Sequence, residues 1–285
     1  MGKVKRGNIY MKKLTHEDVQ KELNQMLVVF NAYCKKHDIK LALIGGTLLG
    51  AIRHQGFIPW DDDIDVFVMQ DEHNKLVELS KENPYIDEEK RYKILAPGVY
   101  PNVYPYIKII DTKTLLYEKD IDKKYATGLW LDVFMFTYYP DSLEESIKIN
   151  KKQERLKLLN KIYIIGNVST NKYKLIAVLL KPIKLIMNLL HIDCKYLNEK
   201  RLAMCTITKS NHIGNIVTNV GLKDRFPADY FKSYVKVKFE NNEYYAPVEY
   251  DKLLTQFYGD YMTLPKEENR IIHDFEGYYL DDFNK

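Results

Sequence analysis

Across residues 14–39 the apolar positions return at helical spacing, with Leu23, Met26, Leu27 and Phe30 on one face of LTHEDVQKELNQMLVVFNAYCKKHDI. Thr15 stands as its N-cap, Glu17 and Asp18 fall in the first turn, and Lys35 and Lys36 near the end suit the helix dipole. The period then changes. KLALIGG reads as a short buried strand closed by a glycine pair, and TLLGAIRHQG as a short helix beginning at Thr47. DIDVFVM is a strand flanked by acids, followed by a helix over 71–81. NVYPYIKII and TLLYE read as two strands joined at DTK, and GLWLDVFMF as a further strand with one aspartate inside an apolar run. Helices are expected over 142–165 and 172–206, the second broken near Pro182. YVKVKFENNEYYAP predicts a hairpin through Asn241 and Asn242, and 249–258 a last helix. The fold class is therefore mixed α/β (α+β), strand-bearing in the first half and helix-rich in the second.

Composition narrows the class. The 285 residues are 46% hydrophobic and 29% charged, without low-complexity tract or repeat, as in an ordinary globular protein. Tyrosine, at 23 residues against 11 phenylalanines, favours surfaces half wet and half apolar. Cys34, Cys194 and Cys205 are scattered and match no zinc spacing, which predicts free thiols in a reducing compartment. The basic N-terminus lacks the apolar stretch of a secretory signal, and no run of about 18 apolar residues exists to span a membrane. These features predict a cytoplasmic protein.

Charge is unevenly placed. Residues 148–184 hold ten Lys or Arg and one acid, Glu154, a balance of +9 against +4 for the whole chain, so the remainder is acidic. The segment reads either as a helical cap with leucines in its core or as a surface for an anionic membrane or polymer. No recognisable DNA or RNA module accompanies it, so nucleic acid is not an expected partner.

The chemistry concentrates in IPWDDDIDVFVMQDE. Asp61, Asp63, Asp65 and Glu72 satisfy the acidic positions of an EF-hand, but Val66 replaces its glycine in a strand-like run. Gly45 and Gly50 have P-loop spacing, yet Ala51 and Ile52 replace its lysine and hydroxyl. Strand geometry accounts for the acids better. Residues two apart share a side, so Asp63 and Asp65 project together while Ile64 and Val66 face the core. Such a pair suits a hard divalent cation, Mg²⁺ or Mn²⁺, with Asp132 of GLWLDVFMF as the third carboxylate. Asp61 and Asp62 precede the strand as turn formers, supporting groups or solvated acids. Strand, Gly45-Gly46-Thr47 and a helix start offer backbone N–H groups and a hydroxyl to phosphate. Ahead of a D-x-D strand, this is the signature of a nucleotidyltransferase fold.

GGTLLGAIRHQGFIPWDDDIDV, KIIDTKTLL, GLWLDVFMF and YGDYMTLPKEENRIIH resemble the successive blocks of the LicD-type phosphocholine transferase family, to which the fukutin-related proteins are distantly similar. The blocks run over about 14–273, and only the helical middle, 141–211, carries no matching motif. The chain is expected to divide into a nucleotidyltransferase-like catalytic core over 14–140, a basic helical segment over 141–211, and a C-terminal hairpin and helix over 212–285 packing back on the core. It implies transfer of a phospho-substituent, best known as phosphocholine from CDP-choline, to a sugar hydroxyl of teichoic acid, lipopolysaccharide or capsule precursors. Two metals about 4 Å apart would then serve the attacking hydroxyl and the CMP leaving group. Asp63 and Asp65 become metal ligands, and Asp132 a third ligand or the general base. Arg53, Lys108 and Arg270 are phosphate candidates beside Gly45, Gly46 and Thr47, while Tyr258, Asp260 and His273 lie in the last block without an assigned role. Trp60 and Trp130 pack in the core or face a trimethylammonium group. Partners are a CDP-linked donor and a lipid-linked glycan acceptor, with membrane contact through 148–184. The alternatives are a CDP-glycerol, CDP-ribitol or phosphoethanolamine donor, or a non-catalytic glycan- or lipid-binding assembly factor.

Overall fold

The computed structural model describes residues 3–280 except 7–8, 101, 166–170, 206–207, 219–220 and 271–272, with backbone alone at 3–6, 9–10 and 171–177. Strands β1 (Lys3–Arg6) and β2 (Ile9–Lys13) lead into helix α1 (His16–Lys36). Thr15 Oγ1 accepts the Asp18 N–H at 3.1 Å while the Asp18 carboxylate accepts the Thr15 N–H at 3.0 Å, closing a capping box. Leu23, Met26, Leu27 and Phe30 are fully buried, each contributing about 1.5–3 kcal/mol of apolar transfer.

Beyond α1 the chain runs β3 (Ala42–Leu43), α2 (Gly45–His54), β4 (Asp65–Met69), α3 (Gln70–Glu82), β5 (Tyr92–Leu95), β6 (Ile107–Asp111), β7 (Thr114–Glu118) and β8 (Trp130–Tyr139). Helices α4 (Leu143–Ile164), α5 (Asn171–Leu189) and α6 (Cys194–Leu202) follow, then β9 (His212–Gly214), β10 (Phe226–Pro227), β11 (Tyr234–Phe239), β12 (Asn242–Pro247), α7 (Tyr250–Tyr258) and β13 (Phe275–Leu280). The class is mixed α/β as expected. One sheet has the order β10-β9-β8-β4-β3-β12-β11, with β6 also on β8 and β5 on β6. A second, β1-β2-β13-β7, ties the N-terminal strands to the last one.

Several expectations change. β6 and β7 do not pair through DTK; the chain changes sheets there, β6 lying against β8 and β7 against β13. Gly128 fixes the switch, since a Cβ there would stand 1.9 Å from the Asp111 carbonyl oxygen. The Asp111 N–H donates to Leu129 O at 2.8 Å and the Leu129 N–H to Thr114 Oγ1 at 2.7 Å, holding the corner. α5 runs through Pro182 without a break. The interruption comes instead at His191, with φ +55, before Asp193 caps α6 by accepting the Tyr196 N–H at 2.8 Å. The hairpin turn is Glu240–Asn241, one residue earlier than expected, because Phe239 pairs with Asn242. The three cysteines are free thiols.

The helical middle is attached by polar contacts and a small apolar cluster. Ser146, Asn150, Gln153, Asn160 and Ile164 are the buried residues of α4, Ile164 packing with Val103 and Cys194. Gln153 Nε2 donates to Arg201 O at 2.9 Å, Asn160 Nδ2 to Val103 O at 2.7 Å, and Asn198 Nδ2 to Asn102 O at 3.2 Å. Leu158 and much of α5 stay exposed, so this segment is not the leucine-cored cap the sequence allowed.

Candidate active site

Three neighbouring strands lay down one row of charge. Asp65 pairs with Asp132 in the parallel β4/β8 register, and Asp132 with Lys108 in the antiparallel β8/β6 register. Residues directly opposite project to the same face. Ile64 and Val66 are fully buried between these acids, as the alternation requires. Asp63 stands before β4 rather than within it, yet its charge bears on both Asp65 and Asp132. Lys108 Nζ lies 3.1 Å from Asp132 Oδ1 as an ion pair, and that oxygen has no well-aligned hydrogen bond.

The glycine turn is packed against the acids. α2 begins at Gly45, two residues before the expected Thr47. Gly45 has φ +59, and a Cβ on it would stand 2.9 Å from Asp65 Oδ2; a Cβ on Gly46 would stand 3.2 Å from Asp61 Oδ2. Both glycines therefore make room for carboxylates, and Gly45 also for the left-handed backbone. Thr47 is buried, and its hydroxyl accepts the Asp65 N–H at 2.8 Å, so it positions the strand start. The N-cap residue of α2, Ile44, makes no side-chain cap hydrogen bond, so among the described residues no cap competes with an anion for the first N–H groups.

Crowding shows in the acidities. Burial, followed by the Asp63 charge, pushes Asp61 up to about 8. Burial raises Asp63 while His273 opposes it, and Asp61 and Asp63 share a hydrogen bond, which needs a proton between them. Burial and then the charges of Asp63 and Asp132 raise Asp65 well above the usual carboxylate range. Burial carries Asp132 up to about 6 against the pull of Lys108. Such a set is relieved by a proton or a cation.

A second contact joins the acids to the C-terminal block. Asp62, 5% exposed, accepts the His273 N–H at 3.0 Å, and its other oxygen lies 2.8 Å from His273 Nδ1. That hydrogen bond, aided by the Asp63 charge, raises the imidazole to about 9. Asp62, Asp63 and His273 bring three potential ligand atoms within 4.8 Å of one another. Asp63 thus belongs to this group while its charge bears on the Asp65–Asp132 row, and Asp62, Asp63 and His273 offer a donor set that fits a divalent cation. Sequence reasoning left Asp61 and Asp62 without a role; their partners stand at Gly46 and His273, and only the presence of His273 in a matching block pointed there.

Above the row lies a cavity of about 190 Å³, walled by Tyr104, Tyr106, Trp130, Phe275 and Glu118 and bordered by Asp63, Asp132 and His273. Lys108 fills part of the aromatic wall, its Nζ 3.7 Å from the Trp130 ring centroid and 4.3 Å from that of Tyr104. Trp60 is likewise covered by the Arg270 guanidinium, at 4.2 Å. Both tryptophans therefore already face a cation of the chain itself. Arg270 Nη1 lies 3.5 Å from Glu267 Oε1, and its buried Nε lacks a hydrogen-bond partner among the described residues. Arg53 spends Nη1 on Tyr261 O at 2.6 Å and Nε on His54 Nε2 at 3.0 Å. Tyr258 feels the charges of Asp65, Asp61 and Asp63, whereas Asp260 is exposed and accepts from Thr263 Oγ1 at 2.6 Å.

Comparison with known proteins identifies the family. Residues 38–158 match the family described as LicD/FKTN/FKRP, nucleotidyltransferase domain. The chain is 31% identical to the lipopolysaccharide cholinephosphotransferase LicD of Haemophilus influenzae over 280 residues, 95% of this chain and 100% of that protein. A shorter likeness, 40% identity over 57 residues, covers 20% of this chain and 21% of an uncharacterized protein of Rickettsia prowazekii. An uncharacterized protein of Rickettsia typhi is 41% identical over 70 residues, 24% of this chain and 20% of its own length.

Proposed function

The chain belongs to the LicD family, and from that premise we propose that it is a phosphotransferase moving phosphocholine from CDP-choline to a sugar hydroxyl of a lipid-linked cell-surface glycan precursor. The observation that supports the reading is the pairing of Asp65 with Asp132, under the charge of Asp63 and beside Gly45 at the start of α2. In the reaction a bond forms between the acceptor oxygen and the donor's outer phosphorus, the bond to CMP breaks, and the acceptor gives up its proton.

Asp63, Asp65 and Asp132 are the carboxylates proposed to hold Mg²⁺ or Mn²⁺. A bound cation would neutralise developing charge on the phosphoryl oxygens and the leaving group. The chain's own groups do the rest. Gly45, Gly46 and Thr47, at the start of α2, present backbone N–H groups to a donor phosphate. Lys108 is the ion-pair partner of Asp132 in the buried row. Asp132, raised to about 6, either ligates the cation or takes the acceptor proton, a value suited to a base near neutrality. Arg53 and Arg270 are the arginines proposed to meet the donor phosphates. Free thiols fit a cytoplasmic site of action.

One observation favours a second donor. With Lys108 over Trp130 and Arg270 over Trp60, neither indole is free for a trimethylammonium group, so CDP-glycerol, CDP-ribitol and CDP-ethanolamine remain chemically admissible. CMP release followed across these donors, with Mg²⁺ or Mn²⁺ and a native lipid-linked acceptor, decides between them. Turnover with CDP-choline supports the first reading, and turnover confined to another donor replaces it with the second.

A further inference from the structure

Helix α5 is built inside out for a globular protein. Val178, Leu179, Ile183, Leu185, Ile186 and Leu189 are exposed by 41–71%. Their spacing puts them, with Pro182, on one continuous stripe about 160° wide at 100° per residue. The opposite side carries Met187, which is buried, and Lys184, whose ammonium is turned back onto the Ile165 carbonyl. The stripe therefore faces away from the protein. Leu190 extends it by one residue, 63% exposed.

Charge identifies what covers the stripe. Between Glu154 and Asp193 the sequence has no acid and seven bases, Arg155, Lys157, Lys161, Lys172, Lys174, Lys181 and Lys184. A second copy of the chain would bring two such cationic regions together, which like-charge repulsion opposes. A polyanion such as nucleic acid or a phosphate polymer pairs with the lysines but leaves the leucines in water. An anionic bilayer surface satisfies both, taking the apolar side chains into the headgroup–acyl boundary and the ammonium groups against lipid phosphates. α5 carries four lysines in 19 residues, and no helix among the described residues is long and apolar enough to cross a membrane. Its mode is therefore to lie in the interface.

We infer that the outward stripe of α5 docks this protein on an anionic membrane surface. The docking element is coupled to the site by direct bonds. Tyr163 Oη of α4 donates to Asn188 Oδ1 of α5 at 3.1 Å, and Asn160 of α4 holds the Val103 carbonyl beside Tyr104 and Tyr106 of the cavity wall. A protein seated through α5 thus has this wall fixed relative to the lipid. The inference stands on exposure and charge and does not depend on which donor is used, or on transfer itself.

Sedimentation of the full chain with vesicles of phosphatidylglycerol and phosphatidylcholine, against phosphatidylcholine alone, tests it. Wild type should pellet with the anionic vesicles, and Leu179→Ser, Leu185→Ser and Leu189→Ser together should lower the partition by about tenfold or more. Lys161→Gln with Lys181→Gln, at exposed positions, should lower it by about tenfold, with an unchanged unfolding temperature. Wild type left in the supernatant, or triple and wild-type proteins pelleting alike, overturns the inference. So does a lipid-free wild-type dimer that the triple substitution abolishes, which would assign the stripe to a second copy.

Discussion

Replacing Asp61 by asparagine should stabilise the cation-free protein, an unusual outcome for a buried polar position. Asp61 lies against Asp63 and Gly46, and its carboxyl is raised from the ordinary 3.8 to about 8, chiefly by burial. A folded-state value above the unfolded one means that the folded protein holds the proton more tightly. Stability is then fullest below the unfolded value and is lost as pH rises toward the folded one. At 1.36 kcal/mol per unit, the loss from this group between about pH 5 and about pH 8 reaches about 4 kcal/mol if Asp61 acts alone. Asp63 shares the proton, so a few kcal/mol is the expected gain for Asp61→Asn at about pH 8, or several degrees in unfolding temperature. Near pH 5 the gap should shrink. Thermal unfolding in EDTA across this range reads it directly. A variant less stable than wild type at high pH, or a gap independent of pH, would refute the claim that the acids are held together at a cost.

Other perturbations probe the neighbours. Gly45→Ala meets both a φ of +59 and an Asp65 oxygen at 2.9 Å, so it should displace that carboxylate and lower metal-dependent turnover by about tenfold or more at unchanged expression. Normal turnover would show that the turn tolerates a methyl group. Lys108→Met leaves Asp132 buried without its counter-charge and should destabilise the fold by about 3–5 kcal/mol near neutral pH, measured by denaturant unfolding. His273, raised to about 9 by Asp62, contributes stability that is full below about 6.5 and lost as pH rises through about 9. His273→Gln should therefore flatten the fall in unfolding temperature across that window, and equal slopes would remove the imidazolium–Asp62 pair.

Local features of the chain were legible because local physics makes them. The Thr15 N-cap of α1, the burial of Ile64 and Val66 beside the acids, and the β11–β12 hairpin to within one residue all follow from residues a few positions apart. Long-range pairing was not. Nothing in the spacing of TLLYE says that β7 leaves β6 for β13, some 160 positions on, because that choice is made by the close crossing at Gly128. The Asp62–His273 contact spans 211 positions, so the run of aspartates alone could not show which acid had a partner. β5, Tyr92–Leu95, was passed over because its few apolar residues become a strand only against β6. Helical periodicity in the basic segment predicts helices but leaves open which way their apolar faces turn. A stripe of leucines looks the same in sequence whether it faces a core or, as in α5, solvent.

The central claim is cation-dependent phosphoryl transfer through Asp63, Asp65 and Asp132. Its most direct test is CMP release from the CDP-linked donors with a native lipid-linked acceptor, in Mg²⁺ or Mn²⁺ and again in EDTA, for wild type and Asp65→Asn. The account expects CMP from at least one donor with wild type and cation, loss in EDTA, and loss in a variant that remains folded. CMP from no donor, or undiminished release by folded Asp65→Asn, would contradict it.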